Sequence, residues 1–199
     1  YYLCTVGEVY KAAYPALAVR QESVKSRKSP VLFLERISFS PLGISQQRLP
    51  MLSQRQQGAF DEIRAHFGSG KRPVLLHGAT GSGKTEIYVK LAQEVLAKGK
   101  NVLFMVPEIA LSKELESRLK GYFGERLLLF HSKVTAAQKH FVHSVVLQAG
   151  GNSPVVVLGT RSSLFLPFAQ LGLVIVDEEH DPSYKQSDPA PRYNARDAA

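Results

Sequence analysis

The sequence predicts an α/β fold, a parallel sheet with helices on both faces. Two observations predict it. From residue 51 onward, short apolar runs alternate with helix-period stretches, the pattern of βαβ units whose strands are covered on both sides. One of those runs leads straight into Gly78-Ala79-Thr80-Gly81-Ser82-Gly83-Lys84-Thr85 and then into a helical pattern. That is the strand–loop–helix setting in which G-x-x-x-x-G-K-[ST] cradles phosphate.

Each element has its own signal. Ser53 to Phe67 sets Ala59, Phe60, Ile63 and Phe67 on one stripe, which predicts a helix. The apolar runs Val74–Leu76, Val102–Val106, Leu127–Phe130, Val155–Leu158 and Leu173–Val176 are flanked by Gly or Pro and read as strands. Helical stretches fall near 85–98, 111–122 and 135–149. Thr135 with Gln138 makes a capping box at the start of the last of these, and Gly150 makes its stop. Ligands of such a sheet sit at the carboxyl ends of its strands.

The first fifty residues lack this order. Residues 1–22 form a short apolar piece, and Ser-Val-Lys-Ser-Arg-Lys-Ser-Pro at 23–30 has linker chemistry. Val31 to Glu35 is long enough for one strand, and Pro41 and Pro50 punctuate the stretch after it. Nothing there makes a core of its own.

A length of 199 residues accommodates one domain and a fraction. With 44% hydrophobic and 21% charged residues, a disordered, collagen-like or coiled-coil chain is excluded as the main content. No apolar run is long enough for a membrane helix, so no membrane partner is expected and a cytoplasmic location is; nucleoid association is expected only through the family resemblance given below. The chain starts at Tyr1 with no signal-peptide pattern, and is read as a piece of a longer protein. The single cysteine, Cys4, rules out an internal disulfide or a Cys-based zinc site and is compatible with a reducing compartment. The net charge of +8, half of it carried by residues 1–50, suits an anionic partner, nucleic acid being the commonest. A merely solubilising surface is the other reading.

The phosphate loop follows from its residue types. Gly78, Gly81 and Gly83 let successive backbone N–H groups turn inward around a phosphate. The helix that starts near Lys84 aims its positive end at the same anion. Lys84 adds a charge at the β/γ-phosphates, and the Thr85 hydroxyl can ligate Mg²⁺. Hydrolysis also needs an acid for the metal and a group that orients water. Leu173-Val174-Ile175-Val176 ends in Asp177-Glu178-Glu179-His180. At a buried strand's end, Asp177 suits Mg²⁺ and Glu178 suits the proton of the attacking water. A solvated strand end is the alternative.

Asp177-Glu178-Glu179-His180 resembles motif II of the superfamily 2 helicases of the DExH kind. Further stretches resemble one family within it, the bacterial replication-restart helicases (PriA, primosomal protein N′). They are Gly81 to Glu86, Val106-Pro107-Glu108-Ile109-Ala110-Leu111, Gly159 to Phe165, Asp177 to Asp181 with Ser183-Tyr184-Lys185-Gln186, and Arg192 to Asp197. Tyr1-Tyr2, Gly7-Glu8-Val9 and Ala13 to Pro15 resemble the end of that family's N-terminal DNA-binding domain. The resemblance implies a RecA-like lobe at 51–199, a linker or winged-helix remnant at 23–50, and the end of a DNA-binding domain at 1–22. It implies an ATP-dependent 3′→5′ DNA helicase for replication restart, with ATP and Mg²⁺ as cofactors. Implied partners are DNA with branched and single-stranded regions, single-strand binding protein and primosome proteins.

The same resemblance assigns residues. Gln56 stands where the family reads the adenine edge; it can equally cap its helix with Ser53 as an S-x-x-Q box. Pro107 and Glu108 resemble motif Ia, and Thr160 and Arg161 motif Ib, both of which face the DNA strand. Arg161 suits phosphate contact or a structural ion pair. His180 ends motif II. Tyr184, Lys185, Arg192 and Tyr193 match an aromatic-rich loop that couples DNA contact to hydrolysis. Their rings can stack on bases or pack into the lobe.

Three departures accompany the match. Only 23–50 stands where the family has a winged-helix domain. The family's zinc-binding cysteines are expected only in a part beyond this chain. The strand after motif II, which the family inserts between the phosphate-loop and motif II strands, and the second lobe with its arginine finger are not present. An arginine finger contributes roughly 10³–10⁵ in rate, so the chain alone is expected to hydrolyse ATP poorly. Another phosphate-loop translocase and a non-catalytic, nucleotide-gated DNA-binding module are the alternative functions.

Overall fold

The computed structural model describes residues 50–69, 73–79, 81–108, 110, 113–188 and 192–199. The readings made for 1–22 and 23–49, among them the Val31–Glu35 strand, lie outside the described residues. Helix α1 (Gln54–Ser69) precedes the phosphate loop and α2 (Lys84–Ala97) follows it. Then come β1 (Asn101–Met105), α3 (Lys113–Phe123), β2 (Leu127–Phe130), α4 (Ala136–Gln148), β3 (Val156–Gly159) and β4 (Leu171–Val176). A two-residue antiparallel pair, β5 (Lys185–Gln186) with β6 (Tyr193–Asn194), and α5 (Ala195–Ala198) complete the described chain.

The four strands pair in parallel in the order β2-β3-β1-β4. Successive strand residues point to opposite faces, and both faces are covered. Val102, Phe104, Val156, Leu158, Leu173 and Ile175 pack with Phe60 and Ile63 of α1, Ile87 and Leu91 of α2, and Leu119 and Phe123 of α3. Leu103, Met105, Leu128, Phe130 and Val157 pack with Val142, Val145 and Val146 of α4 and with Tyr184. The Thr135–Gln138 capping box forms as the sequence predicts, closing the amino end of α4.

One predicted strand is not one. Val74–Leu76 is extended but pairs with no strand of the described sheet, which leaves β4 at an edge. Val74 and Leu76 lean on the core, and Leu75 is 71% exposed. Apolar alternation supplies the burial of a strand, but only a neighbour's N–H and C=O groups make a ladder.

Candidate ATP site

The parallel register brings the motifs together. Met105 stands opposite Gly159 on one side and Val176 on the other. Pro107-Glu108, Thr160-Arg161 and Asp177-Glu178 therefore leave the sheet side by side at its carboxyl edge. The ladder runs one step further: Val106 N–H donates to Gly159 O, and Asp177 N–H to Met105 O, both at 3.0 Å.

The phosphate loop is tightly wound. Gly81 and Gly83 both sit in the left-handed region, at φ 79° and 82°, which glycine enters without steric cost. Gly83 caps α2 from that conformation, and a Cβ there would collide with the Gln56 amide and the Glu86 carboxylate. Gln56 makes the capping box with Ser53: Ser53 N–H donates to Gln56 Oε1 at 2.8 Å, and Gln56 N–H to Ser53 Oγ at 3.3 Å. Its Nε2 also donates to the carbonyls of Ser82 and Gly83, each at 3.3 Å. Gln56 thus joins α1 to the loop. Glu86, in the first turn of α2, pairs with Arg118 of α3.

Lys84 lies across the loop. Its Nζ donates to Gly78 O at 2.8 Å and stands 3.7 Å from Glu178 Oε1. Thr85 follows it on the same first turn. Glu178 has φ 48°, the one left-handed non-glycine residue among those described. Backbone strain of this kind concentrates at functional sites. His180 is exposed, with Nε2 3.7 Å from Glu178 Oε2.

Asp177 is held through its backbone: its N–H donates to Met105 O, and its carbonyl accepts from the Tyr184 hydroxyl at 2.6 Å. Its Oδ1 is buried without a hydrogen-bond partner. Burial first, then the charge of Glu178, raises the Asp177 carboxyl above the usual range, while the charge of Lys84 acts the other way. A buried carboxylate oxygen left free, next in sequence to the residue that meets the phosphate-loop lysine, fits Mg²⁺. That ion is commonly held by one or two carboxylates together with substrate phosphates.

The residues that the sequence assigns to DNA contact divide. Glu108, Lys185 and Arg192 are exposed, and Pro107 is buried. Thr160 is buried, and its carbonyl accepts from Ser163. Arg161 Nη1 donates to the carbonyls of Ser183 at 3.2 Å and Lys185 at 3.0 Å; it tethers the turn after motif II. Tyr184, offered as a base-stacking ring, is 1% exposed and belongs to the core. Tyr193 is half-buried, edge-on to Phe165 with centroids 4.9 Å apart. Tyr184 thus packs into the lobe, and Tyr193 leans on the same cluster with part of its ring exposed. A tyrosine serves either place, because its ring buries well and its hydroxyl needs only one partner.

Sequence reasoning missed the contact of Arg196 with Glu179, 3.3 Å apart.

Residues 50–195 match the family described as type III restriction enzyme, res subunit. Replication restart protein PriA of Rickettsia prowazekii is 46% identical over 82% of this chain and 25% of its own length. The Helicobacter pylori protein of that name is 49% identical over 75% of this chain and 23% of its own length, and the Bacillus subtilis one 42% identical over 74% and 18%. The chain spans about a quarter of the length of the first relatives it matches. Among solved structures, a nuclease-deletion mutant of the Type ISP restriction-modification enzyme LlaGI, in complex with a DNA substrate mimic, superposes with a TM-score of 0.51. It shares 20% identity over 67% of this chain and 16% of that one, a likeness of fold.

Proposed function

Because the chain belongs to the family of the type III restriction enzyme res subunit, with its similarity running to replication restart protein PriA, we propose that it is the ATP-binding lobe of a 3′→5′ DNA helicase acting in replication restart and primosome assembly. The observation that carries this reading is the meeting of Lys84 of the phosphate loop with Glu178, the residue after Asp177 with its unpartnered Oδ1. Gly78, Gly81, Gly83 and Lys84 receive the phosphates, and Gln56 reads adenine once its Nε2 exchanges the loop carbonyls for the base. Thr85 and Asp177 hold Mg²⁺, whose charge offsets that of the phosphate oxygens. Lys84 leaves Glu178 for the β/γ-phosphates, and Glu178 then takes the proton of the attacking water.

DNA lies along the carboxyl edge, against the exposed Glu108, Lys185 and Arg192, with the buried Pro107 and Thr160 shaping the backbone beneath and the turn held by Arg161 linking that edge to motif II. Branched DNA, single-strand binding protein and primosome proteins are the proposed partners of the whole protein. No helix among the described residues is long and apolar enough to cross a membrane. The test is unwinding by the full-length protein on duplexes with a 3′ or a 5′ tail, with and without ATP. ATP-dependent unwinding on the 3′ tail supports the reading. Binding without unwinding on either substrate supports the nucleotide-gated module instead.

A further inference from the structure

Glu86, in the first turn of α2, has one oxygen engaged and one left over. Its Oε1 pairs with Arg118 Nη2 of α3. Its Oε2 is buried and has no hydrogen-bond partner. That oxygen shares a face of Gly83 with the Gln56 amide: a Cβ added to Gly83 would strike Gln56 Nε2 and come 2.9 Å from Glu86 Oε2. Gln56 gives its Nε2 hydrogens to Ser82 O and Gly83 O, each at 3.3 Å. Its Oε1 accepts from Ser53 N–H at 2.8 Å, which leaves that oxygen a second lone pair. The helix beneath is pinned: Arg64 pairs with Glu94 at 3.1 Å, and Lys90 Nζ donates to Gln57 Oε1 at 3.2 Å, both ties from α1 to α2. Exchange at Gln56 is therefore a movement of the side chain alone.

We propose that Glu86, anchored by Arg118, is a positioning residue for base recognition: it fixes the donor end of the Gln56 amide and so selects a 6-aminopurine over a 6-oxopurine. The proposal rests on the reading of Gln56 as the residue that meets the base. A primary amide has two N–H donors. When the base replaces the loop carbonyls, one N–H goes to the purine N7 and the other needs a new acceptor. Glu86 Oε2 is the unpartnered acceptor on that face of Gly83. A carboxylate only accepts, so it holds Nε2 beside itself and repels Oε1. The amide then offers Oε1 to the 6-amino group and Nε2 to N7, the pairing by which a glutamine reads adenine. A 6-oxo group sets a second acceptor against Oε1 and is rejected. Arg118, by occupying the other carboxylate oxygen, keeps Glu86 from turning away.

The test uses Glu86→Gln in the full-length protein, with Gln56→Ala as reference. The substitution keeps the size of the side chain, but with Arg118 on its oxygen it turns an NH₂ toward Gln56. Affinities for ATP, ITP and inorganic triphosphate are measured by calorimetry with Mg²⁺ present, and a melting curve confirms that each variant is folded. The expected result is that Glu86→Gln narrows the preference for ATP over ITP about tenfold, the worth of one hydrogen bond to a charged group, with triphosphate affinity unchanged. Arg118→Met, which releases the carboxylate without altering the loop, narrows the same preference. A preference retained in both of these variants but lost in Gln56→Ala overturns the role of Glu86 and leaves the reading of Gln56 standing. Equal weakening of all three ligands in Glu86→Gln makes Glu86 a support of the phosphate loop alone and overturns the proposal as well. A preference retained in Gln56→Ala overturns the reading of Gln56, and the role of Glu86 with it.

Discussion

Lys84 and Glu178 face each other across the phosphate loop, Nζ to Oε1 at 3.7 Å, while Gly78 O accepts from the same ammonium at 2.8 Å. In the proposed mechanism the cation meant for phosphate thus rests on the proposed base. ATP and Glu178 would then compete for one charge, and binding of the first would release the second. Glu178→Gln keeps the shape and removes the base. In the full-length protein it is expected to lower ATP turnover by roughly 10²–10⁴-fold. Nucleotide affinity should hold or rise, because Lys84 loses its competing anion. Steady-state hydrolysis and binding of a fluorescent ATP analogue separate the two effects; an equal fall in both refutes the assignment.

Gly83→Ala tests the loop's backbone. The residue has φ 82°, which costs an L-residue roughly 1–2 kcal/mol, and the added methyl meets Gln56 and Glu86. The substitution therefore strains the cap of α2 and dislodges Gln56 from the Ser82 and Gly83 carbonyls. A lower melting temperature accompanied by weaker nucleotide binding is expected. Gln56→Ala is expected to weaken nucleotide binding with a smaller loss of stability, read by the same two measurements.

Tyr184 requires two variants. Its side chain is buried, so Tyr184→Ala opens a cavity and is expected to cost roughly 3–5 kcal/mol, masking any effect on coupling. Tyr184→Phe retains the packing and removes only the 2.6 Å bond to the Asp177 carbonyl. If the turn relays DNA contact to motif II, Tyr184→Phe lowers DNA-stimulated ATPase several-fold and leaves nucleotide affinity alone. Equal loss of both would place the hydroxyl in nucleotide binding rather than in coupling.

Arg161 gives the matching prediction from the other end of the turn. Loss of two guanidinium-to-carbonyl bonds in Arg161→Ala frees Ser183 and Lys185. Limited proteolysis within residues 183–188 should speed up, and Arg161→Lys should restore only part of the protection, because an ammonium lacks the planar fork. Unchanged cleavage would refute the tether.

The particular residues show what the sequence could and could not say. The phosphate loop and Asp177-Glu178 were legible because their chemistry fixes both residue type and local setting, glycine where φ is positive and carboxylate where an apolar strand stops. Strand positions followed from apolar runs, and the capping box of α4 from two side chains three residues apart. Val74–Leu76 misled because an apolar run records burial and not the partner a ladder needs. Tyr184 was open because burial of an amphipathic ring depends on what lies across the lobe. The pairing of Arg196 with Glu179 was silent, because only the fold brings these two side chains together from 17 residues apart.

His131 ties stability to pH. It directly follows β2 at 9% exposure, and its Nδ1 accepts from Lys133 N–H at 3.3 Å. Burial lowers its pKa below the usual 6.5, Lys133 and Lys139 lower it further, and Glu116 and Glu108 pull the other way. The folded chain therefore holds this imidazole neutral where the unfolded chain protonates it. Protons bind the unfolded state more readily, so stability is full above the unfolded value and falls as pH drops through 6.5 toward the lowered folded value. His131→Asn keeps an acceptor for the Lys133 N–H and cannot titrate. Denaturant midpoints measured from pH 8 to pH 5 should fall less steeply in His131→Asn than in the unaltered chain. His143, also lowered by burial, supplies the residual slope. Parallel curves for the two proteins would show that His131 is protonated alike in both states, and the buried Nδ1 acceptor would then not govern the acid limb.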